Sequence, residues 1–292
     1  MDPIVGPGPG SVGRGRADVV ASRLMPTIDA NGLTIEYDVA GAGPPLILLH
    51  GATSDGARDF RAQLPTLRQA FRCYTPDARG HGRTRWDTAS GGFSADWLAD
   101  DLLAFADALG LETFHLLGFS LGAMTALRVA VRAPDRLRTL VVVGITTDRE
   151  PRASVARRLM DPIRIDRDDP NWAADLARRH DEGQGAGAWR ALLPAIARDV
   201  ATQSLLTPRE IRTIDPPTLV AVGDRDPFVP VDHAWRLSRS VLDGRLLVLP
   251  DAGHEAFAER PVIATEALGE FYRSTEAVAR RRAGTTTQEV TA

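Results

Sequence analysis

The sequence predicts an α/β protein: a mostly parallel, doubly wound sheet with a helical cap insertion over its edge. Three observations carry the prediction. Short continuous apolar runs, of the kind buried on both faces of a parallel sheet, recur along the chain. Segments with helical periodicity fill the gaps between them. The alternation breaks once, over residues 146–208, where no clear strand can be read and arginines mix with acidic residues.

In order, the apolar runs are Leu46 to His50, Phe71 to Pro76, Thr113 to Leu117, Leu137 to Val143, Pro217 to Val222 and Leu246 to Leu249. Leu33 to Val39 reads as a further extended strand, preceded by the hairpin signal Asp29-Ala30-Asn31-Gly32. In Ala95 to Leu109, the residues Leu98, Leu102, Phe105 and Leu109 recur at spacings of four, three and four, one face of a helix. Ser120 to Arg132 and Val262 to Tyr272 read similarly. Strand–helix alternation of this length implies right-handed crossovers and a doubly wound sheet. The expected organisation is a core of residues 26–145 and 209–273, a cap over 146–208, and tails at 1–25 and 274–292.

The first 25 residues are rich in Gly, Pro, Arg and Ser, with no apolar run of signal-peptide length, and read as a disordered tail. They contain a GxGxxG match, Gly8 to Gly13. A dinucleotide fingerprint needs a strand before it and a helix after it, and here Gly-Pro pairs precede it, so no such site is assigned.

Composition narrows the chemistry. The 292 residues are 43 % hydrophobic and 25 % charged, the balance of a globular protein, and the net charge of −3 gives no footprint for a nucleic-acid partner. The longest apolar stretches are too short to cross a bilayer, so no membrane partner is expected. Cys73 is the only cysteine and falls in a strand-like run, which reads as a core thiol in a reducing, cytoplasmic setting. All 35 basic residues are arginine. Without lysine, Schiff-base chemistry, a Ser–Lys dyad, pyridoxal phosphate anchoring and a P-loop are all excluded. No HExxH or Cys/His cluster occurs, so neither a metal nor another cofactor is expected.

The strongest local signal is Gly118-Phe119-Ser120-Leu121-Gly122, entered from an apolar strand and left through an apolar-faced helix. That strand–turn–helix context is what a nucleophile elbow requires. It sets Ser120 at a helix N-terminus, where free N–H groups favour developing negative charge. A serine nucleophile needs a base. Of six histidines, His254 alone follows a late apolar strand through a short loop, Pro250 to Gly253. The orienting acid should come from Gly223-Asp224-Arg225-Asp226-Pro227. Asp226 lies farther from the strand and can reach across, Asp224 suits a turn-tethering role, and Asp148 is a distant third. The amides of Ala52, after the buried run ending in His50-Gly51, and of Leu121 are the expected oxyanion donors.

With these motifs in order Ser…Asp…His, the chain resembles the α/β-hydrolase family, and specifically its small esterase, enol-lactonase and cofactor-free haloperoxidase-like members. The resemblance rests on Leu46 to Gly51, Pro76 to Thr84, Gly118 to Gly122, Gly223 to Asp226 and Gly253-His254-Glu255, spanning about residues 28–272. It implies an α/β-hydrolase fold of about eight strands, and makes Asp77, Arg79 and His81 scaffold residues of a strand-to-helix loop. It further implies an acyl-enzyme route for an ester or lactone, with no cofactor. Phe119, Phe228, Trp172 and Trp189 are candidate walls of a substrate pocket, and Arg157 and Arg158 candidates for attracting a carboxylate, though solvated ion pairs suit them better. The stretch Ala52-Thr53-Ser54-Asp55-Gly56 lacks the glycine-rich pattern of C–C bond hydrolases. A serine rather than an aspartate at 120 argues against haloalkane dehalogenase or epoxide hydrolase chemistry. The alternatives are a C–C hydrolase, acyltransferase or perhydrolase using the same triad, and a non-catalytic binding protein on the same fold.

Overall fold

The computed structural model describes residues 26–87 and 93–289, the last thirteen as backbone alone. The expected N-terminal tail and its GxGxxG match lie outside them. Eight strands form one sheet: β1 (Thr27–Ala30), β2 (Leu33–Ala40), β3 (Pro45–Leu49), β4 (Arg72–Pro76), β5 (Phe114–Phe119), β6 (Leu137–Val143), β7 (Thr218–Gly223) and β8 (Gly244–Leu249). Their order is β1-β2-β4-β3-β5-β6-β7-β8. β2 pairs antiparallel with β1 on one side and with β4 on the other, and every later pairing is parallel.

Two layers of helix cover the sheet: α1 (Leu64–Leu67), α2 (Ala95–Ala108), α3 (Leu121–Arg132), α9 (Val231–Ser240), α10 (Ala256–Glu259) and α11 (Pro261–Glu289). On one face α2, α3 and α9 close a core with Ile47, Leu116, Leu140 and Val220. On the other, α10 and α11 pack with Leu46, Leu48, Leu117 and Val141. Alternate residues of one strand thus enter opposite cores, which is why these runs are apolar without a break. Between β6 and β7 come α4 (Arg152–Leu159), α5 (Pro162–Asp168), α6 (Pro170–Gln184), α7 (Trp189–Thr202) and α8 (Pro208–Ile211). Leu176, Trp189, Leu192 and Ile196 of this insertion form a third buried cluster with Ala52 and Leu121.

Two expectations differ from what is observed. The run Leu246–Leu249 is not buried on both faces: it belongs to the terminal strand, so Leu246 and Val248 are 36 % exposed while Leu249 is buried. The last helix does not stop at Tyr272 but continues in register to Glu289, because the Arg- and Thr-rich end contains no proline or glycine run to break it.

Candidate active site

The site is built where β5 turns into α3. Ser120 takes φ 52° and ψ −107°, a conformation that costs a non-glycine residue roughly 1–3 kcal/mol. Its N–H donates to Val143 O at 2.9 Å, and its carbonyl accepts from Met124 N–H at 3.0 Å. A Cβ on Gly118 would lie 2.3 Å from Gly122 O, and one on Gly122 would lie 2.2 Å from Leu49 O. The two glycines of the motif are therefore a steric requirement.

Three loops at the carboxyl ends of parallel strands meet here, the place where open α/β sheets gather their ligands. His254 Nε2 stands 2.9 Å from Ser120 Oγ, and His254 Nδ1 stands 2.8 Å from Asp226 Oδ2. With its proton on Nδ1, the imidazole donates to Asp226 and leaves Nε2 to accept from the serine hydroxyl. The Asp226 side chain is fully buried, and its Oδ1 accepts from the amides of Phe228 and Val229 at 2.8 and 3.2 Å. Asp224 instead accepts from Ala252 N–H at 3.2 Å, tethering its turn to the His254 loop. Asp148 is occupied elsewhere, 3.2 Å from His233 and 2.7 Å from Arg236. Of the three acids, Asp226 is the one that reaches His254.

The supporting residues were less visible in the sequence. Gly144, at φ 63°, sits so close that a Cβ there would lie 3.1 Å from His254 Cε1. Glu259 accepts from Gly253 N–H at 2.9 Å and fixes the histidine loop from its far side. Asp59 accepts from Gly51 N–H at 2.8 Å and from Ser54 Oγ at 2.7 Å, shaping the turn that carries Ala52. No motif marks Asp59 or Glu259, since each acts through a loop contact several residues away.

The Ala52 turn and the start of α3 are held side by side by Gly122 N–H, which donates to His50 O at 3.1 Å. Ala52 and Leu121 are both buried, and their N–H groups donate to no acceptor among the described residues. Two unspent buried amides beside a serine hydroxyl can receive a developing oxyanion. Phe119 and Phe228 flank the imidazole, with ring centroids 5.1 and 4.3 Å from that of His254. Trp189 is fully buried within the insertion's cluster, and Trp172 packs on it half-buried. The rings packed against the His254 imidazole are those of the two phenylalanines, and neither tryptophan is among them. Arg157 pairs with Glu150 at 3.7 Å in the open, and Arg158 is exposed. Among the described residues, no group of three His, Cys, Asp or Glu side chains could hold a metal ion, and no helix is long and apolar enough to cross a membrane.

A family model described as the alpha/beta hydrolase family matches residues 46–267. The chain is 27 % identical over 271 residues to the 2-hydroxymuconate semialdehyde hydrolase of Pseudomonas sp. strain CF600, covering 86 % of this chain and 95 % of that one. Among solved structures, a thermophilic esterase from Thermogutta terrifontis superposes with a TM-score of 0.69 at 26 % identity, over 86 % of this chain and 97 % of that one. Est816, an N-acyl homoserine lactone degrading enzyme, superposes with a TM-score of 0.67 at 26 % identity, over 84 % of this chain and all of the other.

Proposed function

The chain belongs to the α/β-hydrolase family, and on that premise we propose that it is a serine hydrolase cleaving a carboxylic ester or lactone of small to medium size through an acyl-enzyme. The observation that carries this reading is the unbroken chain Ser120–His254–Asp226, at 2.9 and 2.8 Å, beside two unspent amides.

The steps follow from the contacts. Ser120 Oγ attacks the substrate carbonyl while His254 Nε2 takes its proton, and Asp226 stabilises the imidazolium that forms. The tetrahedral oxygen rests on the Ala52 and Leu121 amides. Collapse breaks the bond to the leaving alkoxide, which takes the proton from His254. Water, deprotonated by the same imidazole, then attacks the acyl-enzyme, and the proton returns to Ser120 Oγ as the carboxylic acid leaves. Phe119 and Phe228 hold the imidazole between them and offer apolar surface to the acyl group. Likeness to an esterase and to a lactone-degrading enzyme supports the bond type.

A second reading, hydrolysis of a carbon–carbon bond by the same residues, draws on the likeness to 2-hydroxymuconate semialdehyde hydrolase. The sequence Ala52-Thr53-Ser54-Asp55-Gly56, without the glycine-rich stretch expected of such enzymes, places it second. The test is hydrolysis of p-nitrophenyl esters from acetate to octanoate, and of simple lactones, by the wild type and by Ser120→Ala. The wild type is expected to turn over the shorter esters, and the variant to lose on the order of 10³-fold or more in kcat. Equal rates in both would refute the assignment.

A further inference from the structure

The proposed reaction makes no use of three buried histidines that cluster behind the Ala52 turn. The rings of His50 and His81 lie 5.0 Å apart between centroids, and those of His81 and His180 lie 5.5 Å apart. His81 and His180 are wholly buried. The outer two have their protonation fixed by backbone donors. Ala78 N–H donates to His50 Nε2 at 3.0 Å, so His50 carries its proton on Nδ1 and donates it to Gly51 O at 2.8 Å. Gly82 N–H donates to His180 Nδ1 at 3.2 Å.

His81 sits between them with a carbonyl oxygen at each end, Arg79 O 3.0 Å from Nδ1 and Ala52 O 3.0 Å from Nε2. Burial, and then the neighbouring rings of His50 and His180, push its pKa well below the usual imidazole range, so it has one N–H to spend. The carbonyls of two successive residues, Gly51 and Ala52, therefore each face an imidazole. In a trans peptide the C=O and N–H point in opposite directions. Holding Gly51 O from below thus aims Ala52 N–H the other way, and holding Ala52 O fixes the next peptide plane, so that Ala52 cannot swing its amide aside.

We propose that His81 is a positioning residue of the oxyanion hole, its Nε2–H donating to Ala52 O and completing, with His50, a two-imidazole grip on the Ala52 backbone. The inference rests on the serine-hydrolase reading above. It gives His81 a role in the chemical step beyond that of loop scaffold, exerted entirely through the amide of Ala52.

Two measurements test it. Long-range ¹H–¹⁵N correlation on the full chain labelled with ¹⁵N-histidine reads the tautomer directly at neutral pH. His81 protonated on Nε2 supports the grip, and His81 protonated on Nδ1 overturns it without any variant having to fold. The second is the rate at which a fluorophosphonate modifies Ser120, followed by peptide mass, in the wild type, His81→Gln and His81→Asn. A Gln amide nitrogen reaches where Nε2 stands, whereas an Asn amide nitrogen reaches only the Nδ1 position. The Gln variant is expected to react within a few-fold of the wild type and the Asn variant at least about tenfold more slowly, since misaiming a reacting group by an ångström costs up to about 10²-fold. KM for p-nitrophenyl acetate should stay within twofold in both. Equal rates for the two variants would reduce His81 to packing and overturn the inference. A wild type that leaves Ser120 unmodified would refute the serine-hydrolase reading itself, a result distinct from the former.

Discussion

At the scale of single residues, the site is a set of contacts that leave little room for substitution. Asp226→Asn keeps the shape of the side chain but presents an amide donor to His254 Nδ1, forcing the ring toward the wrong tautomer. The expected loss is on the order of 10⁴ in kcat with KM little changed, measured on the best p-nitrophenyl ester. Gly122→Ala places a methyl 2.2 Å from Leu49 O, where both partners are backbone and neither can yield cheaply. That substitution should cost about 1–3 kcal/mol or more, read as a fall in the urea midpoint. The residues proposed to react are legible in the sequence because each sits in a motif whose geometry is local: a glycine-bracketed turn for Ser120, a short loop after a strand for His254. Asp224 and Asp226 could be ranked by reach, and the contacts to Ala252 and His254 follow that ranking. Gly144, Asp59 and Glu259 were not legible. Their roles depend on which loops the fold brings together, and a lone glycine or carboxylate in a loop carries no sign of that.

At the scale of elements, the loop after β4 is pinned from both sides. Arg79 donates to Asp101 through Nε and Nη2, each at 2.6 Å, and Asn31 Nδ2 donates to the same carboxylate at 2.7 Å. The pair joins α2 to that loop and to the β1–β2 hairpin, and both side chains are more than nine-tenths buried. Asp101→Ala would strand a guanidinium in the interior, and the expected penalty is about 3–5 kcal/mol by chemical denaturation. The six parallel strands β3 to β8 are legible to within two residues because their runs are continuously apolar, whereas β1, with only a hairpin signal at its end, is not. β8 shows where that rule ends. An apolar run says that a strand can be buried on both sides, and only its place in the sheet order decides whether it is. The helical insertion was recognisable by the absence of strand periodicity, but its internal divisions were not. The breaks between α4, α5 and α6 fall at Asp161-Pro162 and Asp169-Pro170, where Asp161 and Asp169 cap the following helices.

At the scale of the whole molecule, three histidines are buried in surroundings that disfavour their charged form. Burial lowers the pKa of His115 to about 4 and that of His180 to about 3, and holds His81 well below its ordinary value. In the unfolded chain each titrates near 6.5. Below that pH the unfolded state binds protons that the folded state refuses, so stability falls as pH drops from 6.5 toward 4. Three such groups give a slope approaching about 4 kcal/mol per pH unit once all are protonated in the unfolded chain. The expected result is a urea midpoint that is flat between pH 8 and 7 and falls steeply below about 6. A midpoint unchanged between pH 7 and 5 would contradict the burial of these rings. The sequence sets His115 in an apolar strand-like run and His81 in a scaffold loop, but nothing in it separates His180 from an ordinary surface histidine. His180 lies among arginines and acids, and only the docking of α6 against the loop at Gly82 places it inside.

Covalent catalysis at Ser120 can be read from acid-quenching the wild type during turnover of p-nitrophenyl acetate and weighing its peptides. The prediction is a single acetyl group on the peptide containing Ser120, absent when His254 is replaced by alanine. Turnover with that peptide unmodified at every quench time and the acetyl group on another side chain would contradict it.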